Sequence, residues 1–141
     1  MSTWSDVQSH VRGRYRLQTD TPQHFILAWQ IEDPKRSLDE ALVQGVHCQT
    51  LTVSEQTFLI LRAEVCSERA LNPLAALHHS ARLILGALVL SGNHYVLRYT
   101  MPLRSLDLAD LDYALEYLAR EAAGTRQRLA HQGAQPVRGS D

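Results

Sequence analysis

Residues 86–103, GALVLSGNHYVLRYTMPL, decide the fold of this chain. A glycine opens the stretch, as glycines do where a helix stops. Two apolar runs follow on either side of Ser91-Gly92-Asn93, and Pro102 closes the second. Apolar runs flanking a Gly-Asn pair read as a β-hairpin with a two-residue loop. That loop sets the register: Leu90 faces Tyr95 and Leu88 faces Leu97. Leu88, Leu90, Tyr95, Leu97, Tyr99 and Met101 then share one face, and Val89, Val96, Arg98 and Thr100 share the other. The guanidinium of Arg98 predicts that the second face lies nearer water. Nothing in the stretch can cut, transfer or chelate.

Upstream, Asn72-Pro73 supplies a helix start, with Asn as N-cap and Pro in the first turn. The predicted helix runs to Leu85 and stops at Gly86, with Leu74, Leu77, Ala81, Ile84 and Leu85 as its apolar stripe. Downstream, Asp107 is the predicted N-cap of a last helix, and Leu106 is placed to staple onto Leu111. Leu108, Leu111, Leu115, Leu118 and Ala122 form its stripe, and Glu116 and Arg120 stand one turn apart. The sequence predicts an end near Gly124, with residues 125–141 as a frayed or disordered tail.

The first half reads less sharply. Trp4, Val7, Val11 and Tyr15 recur at helical steps, and Asp20–Gln23 breaks the pattern with a proline. HFILAWQIE (24–32) alternates as a strand, and TFLILRAEV (57–65) does the same. Between them, DPKRSLDEALVQG (33–45) fits either a helical turn or the start of a long strand with a bulge at Gly45, and from Val46 onward the β-branched content favours a strand. The predicted order is α-β-β-β-α-β-β-α. It describes one α+β domain over residues 1–124, a five-stranded antiparallel sheet with helices packed on one face.

Composition narrows the function classes. The 141 residues suffice for one domain with a proper core, and 45% apolar with 21% charged residues are globular values. A formal net charge of −1 excludes a polycation that seeks phosphate over its whole surface. The opening MSTWSDVQSH is polar, so no secretory signal is read there, and no run approaches ~18 consecutive apolar residues. The expectation is a cytoplasmic protein with no membrane partner. Cys48 and Cys66 match no zinc or redox spacing and read as reduced thiols.

The candidate chemistry is thin. Adjacent His78 and His79 diverge by about 100° on a helix and do not grip one ion. Asp107, Asp110 and Asp112 suit the positive end of the last helix. No HExxH, GxSxG or phosphate-loop pattern is present. The expectation is therefore no enzyme, no metal and no cofactor. Arg12, Arg14 and Arg16 around Tyr15 form a candidate contact for single-stranded nucleic acid. The stronger candidate is apolar: Ile26, Phe58, Ile60, Val89 and Val96 all fall on the sheet face opposite the expected core, where a contiguous patch marks a partner or dimer interface.

The stretch NPLAALHHSARLILGALVLSGNHYVLRYTMPLRSLDLADLDYALEYLAREA (72–122) resembles the C-terminal half of YbjN-like proteins, which share the fold of type III secretion chaperones. The capped helix, GALVL opening a hairpin, the strand YVLRYTMPL and LDLADL opening the last helix carry the resemblance. YbjN-like proteins of Deinococcus-type radiation-resistant bacteria are the most similar. The resemblance implies a homodimer that acts as a chaperone or adaptor for client proteins, and it favours a strand over residues 41–53. It makes DNA-repair proteins, such as single-stranded-DNA-binding proteins, candidate clients, and it brings no catalytic residues. The sequence departs from the family pattern at residues 33–45.

Overall fold

The structure, a computed structural model, describes residues 2–31 and 42–134. The chain opens with α1 (Trp4–Arg14), fixed by a capping box in which Thr3 Oγ1 accepts from Asp6 N–H and the Asp6 carboxylate accepts from Thr3 N–H. Val7 and Val11 on its inner face are fully buried. At its two ends Trp4 packs 5.2 Å from the Phe25 ring and Tyr15 packs 5.3 Å from Trp29, centroid to centroid. The aromatic spacing read from the sequence is thus a helix face laid on a sheet.

The strands are β1 (Leu17–Asp20), β2 (His24–Ile31), β3 (Leu42–Val53), β4 (Gln56–Ser67), β5 (Ala87–Ser91) and β6 (His94–Pro102). They form one antiparallel sheet in the order β1-β2-β3-β4-β6-β5. The sheet is α+β in kind, as expected, but it has six strands where the sequence predicts five. The extra strand is β1, LQTD, whose apolar content is a single leucine. It is held by hairpin geometry instead, with Thr21 N–H donating to His24 C=O at 3.0 Å and Ala28 N–H to Arg16 C=O at 3.0 Å. Hydrophobic periodicity cannot find a strand defined this way.

The hairpin that decides the fold has the expected register. Leu90 pairs with Tyr95 and Leu88 with Leu97, and Gly92 takes φ +61° in the turn. Residues 42–53 form a strand, and Gly45 pairs across to Ala28 without a break in register. Residues 33–41 of the ambiguous connection lie outside the described residues.

Two helix ends differ from expectation. α2 (Pro73–Ala81), capped by Asn72 Oδ1 on Ala75 N–H at 2.8 Å, stops before Leu85. Arg82 N–H and Leu83 N–H bond back to His79 and Ser80 carbonyls, which tightens the last turn and turns the chain out of the helix. Gly86 is therefore a turn residue entering β5, at φ +72°. The other end is α3 (Leu108–Ala134), which passes through Gly124. A mid-helix glycine costs only about 1 kcal/mol against alanine. Buried Ala122, Ala123 and Thr125 on the same turns outweigh that cost. Residues 135–141 of the expected tail lie outside the described residues.

The core lies between the sheet and the helices on one of its faces. Phe25, Leu27, Val46, Leu59, Leu61 and Leu97 rise from the strands to meet Val7, Val11, Leu111, Leu115 and Leu118. Leu106 and Leu111, the predicted staple, are both buried, and Asp107 Oδ1 accepts from Ala109 N–H at 2.9 Å.

Candidate functional site

α2 packs beside β5 at one edge of the sheet. Ser80 Oγ accepts from Leu88 N–H at 3.0 Å, so α2 covers part of the otherwise free backbone edge of β5. Only Ala76 of α2 is buried. Most of the stripe expected to face the core points outward instead: Leu74 is 66% exposed, Leu77 68% and Ile84 74%, while Leu85 is partly buried against the core. The reason is the helix's place at the rim, where it needs only its small residues for contact. Leu90 at the end of β5 is 54% exposed, and Ile84 N–H donates to Tyr117 Oη at 2.8 Å, which brings the Tyr113–Tyr117 stack to the same edge. Tyr113 is itself exposed. Five large apolar side chains standing in water on one edge are more than scattered surface hydrophobes.

The five interface residues expected from the sequence do share the sheet face opposite the helices. Ile60 and Val96, however, are buried within the chain, at 4% and 5% exposure. Both lie on interior strands, where cross-strand neighbours on either side shield them. Ile26, Phe58 and Val89 are half-buried. The large apolar groups that reach water on this face are Val43, Leu51 and Val53 of β3.

Two of the arginines around Tyr15 meet carboxylates while all three stay exposed. Arg12 forks onto the Asp20 carboxylate, with Nε and Nη2 at 3.0–3.2 Å from its oxygens, and its guanidinium lies 5.5 Å from the Phe25 ring centroid. Arg14 Nε stands 3.4 Å from Asp112 Oδ2. Tyr15 Oη donates to Asp112 Oδ1, and His10 Nε2 lies 2.8 Å from the same oxygen. Arg16 is exposed and falls past the helix end. Two of the three guanidinia thus already face a carboxylate.

Asp112 reads in the sequence as a helix-end charge, and its partners on α1 are what that reading missed. It sits in the first turns of α3, as an acidic residue should, yet its partners come from α1. Burial pushes its carboxyl up, but hydrogen bonds from Tyr15 and His10 and the charges of His10 and Arg14 outweigh that and hold it below its ordinary value. Burial, then the hydrogen bond to Asp112 and that residue's negative charge, raise the Tyr15 phenol well above its usual range, against the opposing effect of Arg14. A phenol held protonated as a donor is a structural tie and not an activated nucleophile.

Two further groups of reactive side chains among the described residues are those around His79 and the cysteines. His79 Nε2 lies 3.3 Å from Thr125 Oγ1 and 3.4 Å from Glu121 Oε1. Both contacts use the same ring nitrogen, so no relay from carboxylate through imidazole to hydroxyl exists. His79 is half-buried and His78 exposed. Burial pushes the Cys48 thiol up to about 12 and also raises Cys66, which leaves both poor nucleophiles at neutral pH. Among the described residues no three His, Cys, Asp or Glu side chains converge on a metal position. A groove of about 1100 Å³ runs between the start of α1, the β3–β4 hairpin and the β6–α3 link. Hydroxyls of Ser2, Thr50, Thr52, Thr57 and Ser105 line it beside Trp4, with Glu55 and Arg104, and it holds no histidine or cysteine. None of the described helices is long and apolar enough to cross a membrane. Compared with protein-family models and with curated proteins, the chain matches none.

Proposed function

We propose that this chain is a non-catalytic protein-binding module that forms a homodimer and serves as a chaperone or adaptor for client proteins in the cytoplasm. The observation that carries the proposal is the outward face of α2 with Ile84 and Leu90, four large aliphatic side chains each more than half exposed. Burying such a side chain is worth roughly 1.5–3 kcal/mol. A two-fold contact doubles each residue's contribution, because the same patch meets itself. That sum is enough to offset the entropy of association when the patch is well packed. A second copy also completes the cover of the β5 edge, which Ser80 only begins. The likeness of residues 72–122 to YbjN-like proteins and the secretion-chaperone fold supports the same reading, although the observed element order departs from the one that likeness implies by the added strand β1. Proteins of DNA repair, including single-stranded-DNA-binding proteins, remain the proposed clients on that likeness alone.

Client capture tests the proposal. Tagged chain and its Leu74→Asp/Leu77→Asp variant are incubated with native cytosol and the retained proteins identified by mass spectrometry. A defined set of proteins held by the parent chain is expected. Retention of nothing beyond the tag control, or an enzymatic turnover product in place of a retained protein, counts against it.

A further inference from the structure

The sheet face away from the helices carries two guanidinia flanked by histidines, and the proposed α2 contact does not use them. His47 of β3, Arg62 of β4 and Arg98 of β6 are direct cross-strand partners. Two guanidinia directly opposite each other repel, and sheets ordinarily avoid that pairing. The ion pairs among the described residues leave both arginines out. Arg62 Nε is buried with no hydrogen-bond acceptor among the described residues, and Arg98 is exposed. His24 stacks on His47, with Nε2 of one 3.0 Å from Nδ1 of the other. His94 joins His47, Arg62, Glu64, Ser91 and Val96 around a hollow of about 100 Å³. Glu64 is the one carboxylate that the described strand residues add to this face. The chain as a whole has a formal charge of −1, so this positive field is local. Along β3 on the same face, Val43 and Leu51 stand four residues to either side of His47 and Val53 six residues away, all three exposed.

We propose that this face is a docking site for an acidic, apolar-interleaved peptide segment of a partner protein, whose carboxylates meet Arg62 and Arg98. The chemistry favours carboxylates on two grounds. An arginine fork pairs bidentately with a carboxylate, and here two forks lie side by side with no ion pair among the described residues and only Glu64 near them. The exposed aliphatic residues further along the same face would cover apolar side chains of the segment to either side of the acidic ones, whereas a nucleic-acid strand calls for aromatic platforms. Spacing agrees: alternate residues of an extended peptide stand about 7 Å apart. Cross-strand neighbours on a sheet stand about 5 Å apart, within reach of long arginine side chains. The proposal rests on the reading of the chain as a protein-binding module, but it uses a separate face.

The test is fluorescence anisotropy of a labelled peptide alternating Asp and Val, titrated with the full chain. The same peptide with Asn for Asp, and an oligo-dT strand, serve as comparison probes. The Asp peptide is expected to bind, with affinity that falls as salt rises, and the Asn peptide to bind far more weakly. Arg98→Glu should weaken the Asp peptide about tenfold or more, and Arg62→Gln should also weaken it, while Arg104→Glu, an equal charge change elsewhere, should not. If Arg98→Glu loses the parent circular-dichroism spectrum, Arg98→Gln is the deciding variant. Equal affinity for the Asp and Asn peptides, no binding of either, or full affinity in the arginine variants overturns the proposal. So does tighter binding of oligo-dT with the same dependence on Arg98, which assigns the face to nucleic acid. The readout is peptide affinity and not molecular mass, so a failure here leaves the α2 contact standing, and a failure of self-association leaves this face standing.

Discussion

The hydroxyl of Tyr15 donates to the carboxylate of Asp112, joining the residue that caps α1 to the first turns of α3. His10 and Arg14 bring two more groups to the same carboxylate. One acidic side chain therefore holds the N-terminal helix against the C-terminal one. Asp112→Ala leaves a half-buried phenol without its acceptor and should cost about 1–3 kcal/mol in urea unfolding. Asp110→Ala, two residues away and exposed, should cost less than about 0.5 kcal/mol. Equal losses in the two variants would mean that helix-end charge, and not the tie, is what matters.

The same tie sets the pH limits of stability. Asp112 has a folded pKa below its unfolded value, so its contribution is present above about pH 3.9 and is lost as pH falls through the folded value. Tyr15 has a folded pKa above its unfolded value, so its contribution is complete below about pH 10 and is lost as pH rises towards the folded value. His47 runs the other way. Burial, His24 and Arg62 depress it, against the pull of Glu64, so the unfolded chain binds its proton first and stability falls as pH drops below about 6.5. Melting temperatures between neutral and mildly acidic pH should fall less steeply in His47→Gln than in the parent, and melting above about pH 10 should fall less steeply in Tyr15→Phe. Parallel curves for variant and parent would contradict these assignments.

Leu111 lies at the centre of the layer between α3 and the sheet, fully buried beside Leu106. Leu111→Ala should cost roughly 2–5 kcal/mol, from lost transfer energy and the cavity left behind. An unchanged chemical-denaturation midpoint would show that α3 turns another face to the sheet.

Gly86 is fixed by its backbone. Its φ is +72°, and an added Cβ would stand 2.6 Å from the Arg98 carbonyl oxygen on β6. Gly86→Ala should destabilise by at least about 1–2 kcal/mol. Gly13→Ala, with open space around it in α1, should be stabilising by roughly 0.5–1 kcal/mol. Thermal melting of the pair checks both signs.

Reading from the sequence succeeds where one local rule acts alone. Gly92-Asn93 specifies its hairpin, Asn72-Pro73 starts α2, and Leu106 with Asp107 starts α3, each through a few adjacent residues. It fails where distant parts of the chain decide. β1 is a strand because β2 pairs with it, and α3 continues past Gly124 because Thr125 is buried beyond it, beside His79 of α2. The stripe of α2 fits helical periodicity, but periodicity does not say whether a core or water lies beyond it. The same blindness applies to the opposite sheet face, where Ile60 and Val96 read as surface and prove buried by neighbouring strands. Asp112 reads as a helix-end charge because its partners on α1 lie some hundred positions away in sequence.

Sedimentation equilibrium of the parent chain and of Leu77→Asp at micromolar concentration tests the α2 contact most directly. Leu77 is exposed in the single chain, so the substitution should leave the fold and its circular-dichroism spectrum intact. A homodimer through α2 predicts a mass near twice 15.9 kDa for the parent and near 15.9 kDa for Leu77→Asp. A parent chain that sediments as a single 15.9 kDa species, or a dimer that Leu77→Asp leaves intact, would contradict it.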